Sequence, residues 1–450
     1  MDKEYLIQES PLKAIFMFAL PMIIGNLFQQ FYTMVDSIVV GRYVSEDALA
    51  AIGASYSLTN VFICIAIGGG VGASVITSRY FGSREYSKMK RSMYTAFLSF
   101  FAISILLAVI GYTTGEAIAR VLNTPEDIMD MTKEYLDIYF LGLPFLFMYN
   151  IFATMFNAIG RSKIPLYLLI FSSVFNIGLD IYMVCVLHLG IAGVAWATFI
   201  AQGISVVASF FIFMKELKQF PTKDQQVFSN SDFIQMSKVA LPSIFQQSAV
   251  SIGMLLVQSV VNGFGTQVLA GFSAAMRAES ICIVPMAAMG NAMSSFTAQN
   301  MGAKKFDRVK KGYQTANGLV LLFAVIICIV LELYHDAIIQ AFLGEKGTII
   351  ALETGSSYVK FMGWFFILIG LKMCVDGLLR GAADMKLFMV ANLANFTFRV
   401  CFAVIMAPKY GIAMVWYAVP IGWLINFIIS FGRYRTGKWM HIGEEEGISA

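Results

Sequence analysis

The chain has 450 residues, 58% of them hydrophobic and only 13% charged, with 32 Lys and Arg against 28 Asp and Glu for a net charge of +4. A soluble domain carries about 25% charged residues. Apolar runs longer than about 18 residues, repeated between short polar loops, therefore exclude a soluble protein and predict a polytopic helical membrane protein. The six cysteines fall inside apolar runs without CxxC spacing, so they read as small packing residues and not as disulfides or metal ligands.

Met1 to Lys13 carries acids, and the apolar run after it has no small-residue cleavage site, which predicts no cleaved leader. Twelve spans follow. Those of the first half are 14–38, 51–77, 92–115, 134–160, 164–187 and 191–213. Those of the second are 239–262, 268–298, 312–334, 354–379, 387–407 and 411–432. The domain expectation is an N-terminal six-helix lobe over 1–214, a cytoplasmic linker over 215–238, a second lobe over 239–432 and a tail over 433–450. The linker, with Lys215, Lys218, Pro221, Lys223, Asp224 and Asp232, reads as solvated. Lys and Arg crowd one set of loops, from Arg79, Arg84, Lys88, Lys90 and Arg91 to Arg433, Arg435 and Lys438. The other side has only Arg42, Arg120, Lys133, Lys346 and Lys409. The asymmetry puts both termini in the cytoplasm.

The halves repeat at an offset of about 220 residues. Ala19-Leu20-Pro21 returns as Ala240-Leu241-Pro242, and Phe81-Gly82-Ser83-Arg84 as Met301-Gly302-Ala303-Lys304. Six spans per half makes the repeats parallel, an arrangement suited to alternating access with substrate between the bundles.

Acids inside apolar runs are costly and need a partner or a use. At a rise of about 1.5 Å per residue, Asp36 lies about 9 Å from the outer edge, and Asp180 and Thr198 about 12 Å. Asn176 is one turn deeper than Asp180 on the same face. Three spans thus bring oxygen-bearing side chains to one depth. Two carboxyls and two neutral oxygens can hold a desolvated Na⁺. They can equally share a proton, since two adjacent acids in low dielectric do not readily both ionise. A structural acid bonded to amides is the plainer alternative. Asn150, at a comparable depth, either joins this network or bonds a neighbouring helix. Pro21 frees a backbone carbonyl and permits a bend, and is the candidate hinge of the first span.

The second half carries Arg277, Glu279 and Arg399 near the midplane. Glu279 either pairs with Arg277 or Arg399, or serves as a second coupling site or an acid facing cationic drugs. Lys372 and Asp376, one turn apart, are expected to pair. Gln29, Gln30 and Tyr32, with Glu279, Arg277 and Arg399, are candidate substrate contacts.

Ala19-Leu20-Pro21, Asp36-Ser37 with Gly41-Arg42, Asn157-Ala158-Ile159-Gly160, Gln299-Asn300-Met301-Gly302-Ala303 and Leu379-Arg380-Gly381 resemble the multidrug and toxic compound extrusion (MATE) family, and the acid pattern is similar to its DinF-like branch. The resemblance covers about Pro11 to Gly432. It implies an all-α polytopic membrane protein with twelve transmembrane helices in two pseudo-symmetric six-helix bundles forming a V. It also implies export of amphipathic, often cationic compounds by H⁺ or Na⁺ antiport. The family's first-lobe ionisable site maps onto Asp36, Asn176, Asp180 and Thr198. The chain departs from the other large bacterial branch, which has an acid shortly after the seventh-span Leu-Pro; Gln246, Gln247, Ser248 and Ser251 stand there instead.

The expected protein is a monomeric antiporter in a bacterial cell membrane. It needs no cofactor beyond its coupling ion, H⁺ or Na⁺, and has no nucleic-acid partner. A flippase of lipid-linked saccharides on the same scaffold is the alternative, kept open by Arg277, Arg399 and Lys372. An enzyme is not expected: the sequence has no HExxH or GxSxG pattern, and His188, His335 and His441 sit at loop edges.

Overall fold

A computed structural model of the chain describes residues 4–122, 124–220, 222, 226–344 and 347–442. The expectations placed on Pro221, Lys223, Asp224, Lys346 and the tail from residue 443 lie outside the described residues.

Among the described residues the fold is all-α, without strands. The helices are α1 Tyr5–Gln8, α2 Pro11–Tyr43, α3 Glu46–Gly82, α4 Tyr86–Val121, α5 Glu126–Ala158, α6 Lys163–Ile181 and α7 Gly190–Leu217. The second half contributes α8 Asn230–Asn262, α9 Thr266–Gly302, α10 Phe306–Leu343, α11 Ile349–Gly363, α12 Phe366–Gly381, α13 Met385–Tyr410 and α14 Ala413–Arg435. Eleven helices are long and apolar enough to cross a membrane, and α11 with α12 makes a twelfth span that is bent by 55°. That span was expected to run unbroken over 354–379. It breaks where Phe365 N–H turns back to the Met362 carbonyl and Leu368 N–H to that of Phe365. Trp364 swings outward at the break and donates its indole N–H to Glu332 at 2.7 Å.

The internal repeat is visible in the backbone. Left-handed residues close equivalent turns in the two halves: Arg84 (φ 62°) after α3 and Lys304 (φ 56°) after α9. Gly190 (φ 56°) and Gly411 (φ 95°) do so where the last helix of each half begins.

The chain divides into two compact units, Ile24–Ile244 and Met1–Ile23 with Phe245–Ala450. Both helices that cross the division do so two residues beyond a proline: α2 after Pro21 and α8 after Pro242. In the first unit α5 packs on α3, α4 and α7, and α6 lies on α7. In the second, α9 packs on α10, α11 and α12, and α13 on α14. Backbones touch where glycine lets them: a Cβ on Gly377 of α12 would stand 2.1 Å from the Gly290 carbonyl oxygen of α9. Such small-residue contacts replace the hydrophobic drive that lipid cannot supply.

Each unit also holds the segment leading into its crossing helix. In the second unit Tyr5, Leu6 and Ile7 are buried. The Leu6 carbonyl accepts from Asn300 and Arg308, each at 3.1 Å, the Ile7 carbonyl accepts from Lys305 at 3.2 Å, and that of Glu9 from Arg308. In the first unit Arg91 forks onto Asp232 at 2.8 and 3.1 Å, and Tyr80 donates to the same carboxylate at 3.1 Å. Phe220 packs against Phe81 and Tyr86. The reading of 215–238 as solvated holds for Lys215 and Lys218, which are exposed, and is corrected at Phe220 and Asp232, which are buried; α8 has already begun at Asn230. An apolar anchor and a buried ion pair dock this stretch.

Candidate coupling-ion site

The first unit gathers its polar groups from α2, α6 and α7. Tyr32 and Asp36 lie one turn apart on α2, Asn176 and Asp180 one turn apart on α6, and Thr198 faces them from α7. Asp180 and Asn176 are fully buried, at 0% and 2% exposure, whereas Asp36 is half-buried. The carboxyls of Asp36 and Asp180 lie against each other.

Asn176 ties the cluster together. One end of its amide lies 2.5 Å from the Tyr32 hydroxyl and 3.1 Å from an Asp180 oxygen, and the other lies 3.2 Å from the backbone nitrogen of Thr198. The nitrogen turned toward Asp180 satisfies all three: it donates to Tyr32 and to the carboxyl, while the amide oxygen accepts from Thr198 N–H. Even so, Oδ1 of Asp36 and Oδ1 of Asp180 are buried without a hydrogen-bond partner. Unsatisfied carboxylate oxygens at membrane depth carry a full desolvation cost. A proton between the two acids, or a bare cation among the oxygens, would satisfy them.

The sequence also shapes access. One turn from the site toward the Arg42 end lie Val40, Val184 and Val194, in an apolar cluster with Ala48, Ala51, Ile128 and Ile191. Val184 belongs to a π-helical turn, Tyr182–Val186, that continues α6 directly past Asp180. Such turns widen a helix locally and recur at functional sites. Away from the apolar cluster, a small cavity lined by Gln29, Tyr149, Leu169, Ser173 and Gln202 adjoins Tyr32, Asn176 and Thr198, the neighbours of the two acids. The centre is thus walled by apolar side chains on one side and adjoined, through Tyr32, Asn176 and Thr198, by a small cavity of mixed lining on the other.

The structure brings together Asp36, Asn176, Asp180, Thr198 and Tyr32, and sets Gln29 in the adjoining cavity. Asn150 stands apart from this network; its amide donates to the Leu146 carbonyl of its own helix at 2.8 Å. Gln30 is half-buried, and Pro21 lies fifteen residues before Asp36, away from the site. Tyr135 and Gln202 were missed. Tyr135 of α5 lies close enough to both acids to interact electrostatically with them, and with Thr198 and Gln202 it lines a second small cavity. The spacing Thr198 to Gln202, one turn along one face, was the signal available for the latter.

In the second unit Glu279 is buried and hydrogen-bonded to the Tyr358 hydroxyl. Phe272 and Trp416 pack edge-on to the Tyr358 ring, with centroids 5.6 and 5.7 Å away. Arg399 acts electrostatically on Glu279, but the two make no ion pair among the described residues. Arg277 is exposed on another face of α9. Pairing of Glu279 with either arginine is thus replaced by a tyrosine bond, because Tyr358 of α11 reaches the acid first. Lys372 and Asp376 do pair, at 3.1 Å.

The family model for MatE matches residues 21–183 and 242–405, one copy in each half. The chain belongs to the MatE family. This MatE protein is therefore a multi-pass membrane transporter and not an enzyme. It is 28% identical over 434 residues to the probable multidrug resistance protein YpnP of Bacillus subtilis, covering 96% of both chains. It is 26% identical to YoeA of the same organism, also named a probable multidrug resistance protein, over 93% of this chain and 92% of that one. Among solved structures, an outward-facing multidrug resistance MATE transporter of the MOP superfamily superposes with a TM-score of 0.90 at 20% identity, covering 98% of this MatE chain and 99% of the other.

Proposed function

We propose that this MatE protein is a secondary active multidrug efflux antiporter. It exports amphipathic, often cationic compounds in exchange for H⁺ or Na⁺ by alternating access. The observation that carries the proposal is the meeting of Asp36 and Asp180 with one oxygen of each left without a partner. Two such acids form a site whose occupancy changes its charge. A proton bridging the carboxyls removes one negative charge; a Na⁺ would be held by the carboxylates and the Thr198 hydroxyl, with the Asn176 amide turned over so that its oxygen faces Asp180. The cavity at Gln29 and Gln202, which adjoins the acids' neighbours Tyr32, Asn176 and Thr198, supports an ion path from that side. Relatives named for multidrug resistance support the cargo class. The basic loops support a cell-membrane protein with both termini in the cytoplasm.

The flippase alternative draws less support. It needs free basic side chains for a phosphate-bearing lipid; of the three it would use, Lys372 is engaged by Asp376 and Asn392, while Arg277 is exposed and the Arg399 Nε is buried without a partner.

The test is export of a fluorescent cationic dye from proteoliposomes under an imposed Na⁺ or proton gradient. The native protein is expected to respond to one of the two gradients. Asp36→Asn and Asp180→Asn should each abolish that response. Dye movement indifferent to both gradients, or surviving both substitutions, overturns the proposal.

A further inference from the structure

The second unit contains a polar centre with no role in the function proposed above. Lys372 and Asp376 of α12 are 6% and 5% exposed. The Lys372 ammonium lies 3.1 Å from Asp376 Oδ2 and 3.1 Å from Asn392 Oδ1 of α13. Asn392 Nδ2 donates to Asp376 Oδ2 at 3.3 Å, and Ser430 Oγ of α14 donates to Asp376 Oδ1 at 2.7 Å. Gln246 of α8 donates its amide to Asn392 Oδ1 at 3.3 Å. A buried ion pair is tolerated when its remaining lone pairs are satisfied, and here both Asp376 oxygens are.

The contrast with the first unit is chemical. There two carboxyls face each other and one oxygen of each is unpartnered. Here one carboxylate and one amide oxygen surround a compact single positive charge. That charge sits among oxygens as a bound monovalent cation would, except that it is covalently attached to α12. We propose that Lys372 is a tethered cation: its ammonium fills an alkali-cation site in the second unit, leaving the Asp36–Asp180 centre as the place of ion exchange. The final clause rests on the antiport reading above; the filled site does not.

Shortening the side chain would vacate the site. The experiment follows thermal unfolding of purified protein in choline, NaCl and KCl at fixed ionic strength, in an Asp36→Asn background so that the first centre is disabled. Asp36→Asn alone should show no alkali-dependent shift that Asp376→Asn removes. Adding Lys372→Ala should create a Na⁺- or K⁺-dependent rise of about 2–4 °C at tenfold saturation. The rise should vanish when Asp376→Asn is added, and should be missing in Lys372→Met, which discards the charge but keeps the space filled. A folded Lys372→Ala protein that gains no shift overturns the inference. If Lys372→Ala does not fold, the comparison of Asp36→Asn with Asp36→Asn/Asp376→Asn decides. An alkali-dependent shift in the first that the second lacks means that the native site is open and Lys372 does not fill it. No such shift supports the filled site. Dye export that survives Asp36→Asn would defeat the antiport reading without altering these shifts, so the two failures are distinguishable.

Discussion

Asn176 links Tyr32, Asp180 and the Thr198 backbone with a single amide. Removing it strands polar groups in a buried setting, where each unmade bond costs about 1–3 kcal/mol. Asn176→Ala is therefore expected to lower thermal stability by an amount of that order and to cut gradient-driven dye export by at least about tenfold, since a misplaced coupling acid acts like a misplaced catalytic group. Tyr32→Phe loses one hydroxyl and should cost only about 0.5–1.5 kcal/mol, with export reduced but measurable. Unfolding scans and the proteoliposome assay on the same preparations separate the two effects. The depths of Asp36, Asn176, Asp180 and Thr198 could be counted from the ends of their spans, because a helix in a membrane is a ruler. Tyr135 could not be found that way. A tyrosine in a helix is common, and only the packing of α5 turns this one toward the acids.

Among the elements, α2 and α8 each change compact unit two residues past a proline, at Ile23/Ile24 and at Ile244/Phe245. A proline leaves the carbonyl four residues earlier without its helical partner, which makes these the compliant points of two long helices. Pro21→Ala is expected to leave ion-dependent stabilisation at the Asp36 centre intact while slowing dye export by about tenfold, the signature of a conformational step. Unchanged export would remove Pro21 from the mechanism. The contact of α9 with α12 is less forgiving. Gly377→Ala would push a methyl to 2.1 Å from the Gly290 carbonyl and should destabilise the second unit by about 1–3 kcal/mol in the same unfolding scans. Most spans were legible as apolar runs bounded by charge. The bend between α11 and α12 was not, because no proline marks it; the Glu332 side chain of α10 that receives Trp364 is remote in sequence. The π-helical turn after Asp180 was equally silent, since apolar residues fill it as they would fill an ordinary helix.

Across the whole molecule the duplicated sequence yields two units whose polar centres differ in kind, one with two facing acids and one with a closed ion pair. The repeat announced two similar bundles; it could not announce this difference, which depends on which side chains meet across helices. Nor could polar composition reveal that the stretch between the halves docks. Arg91 and Asp232 decide that, and Asp232 is fully buried. Arg91→Ala leaves the Asp232 carboxylate with Tyr80 but without its counter-charge and is expected to cost about 1–3 kcal/mol, whereas adding Asp232→Asn should restore much of the loss. A double-mutant cycle on unfolding midpoints checks this.

The grip of Asn300, Lys305 and Arg308 on the carbonyls of residues 6–9 bears on how the protein is made. Those carbonyls leave the ribosome before their partners, which emerge about 300 residues later. At typical synthesis rates of about 5–20 residues per second, the opening turn waits about 15–60 s for its binding groove. During that interval Tyr5, Leu6 and Ile7 have only the first turns of α2 from their own unit beside them, so this segment docks only once α9 and α10 have been inserted. The first unit, continuous from Ile24 to Ile244, can assemble while the rest is still being translated.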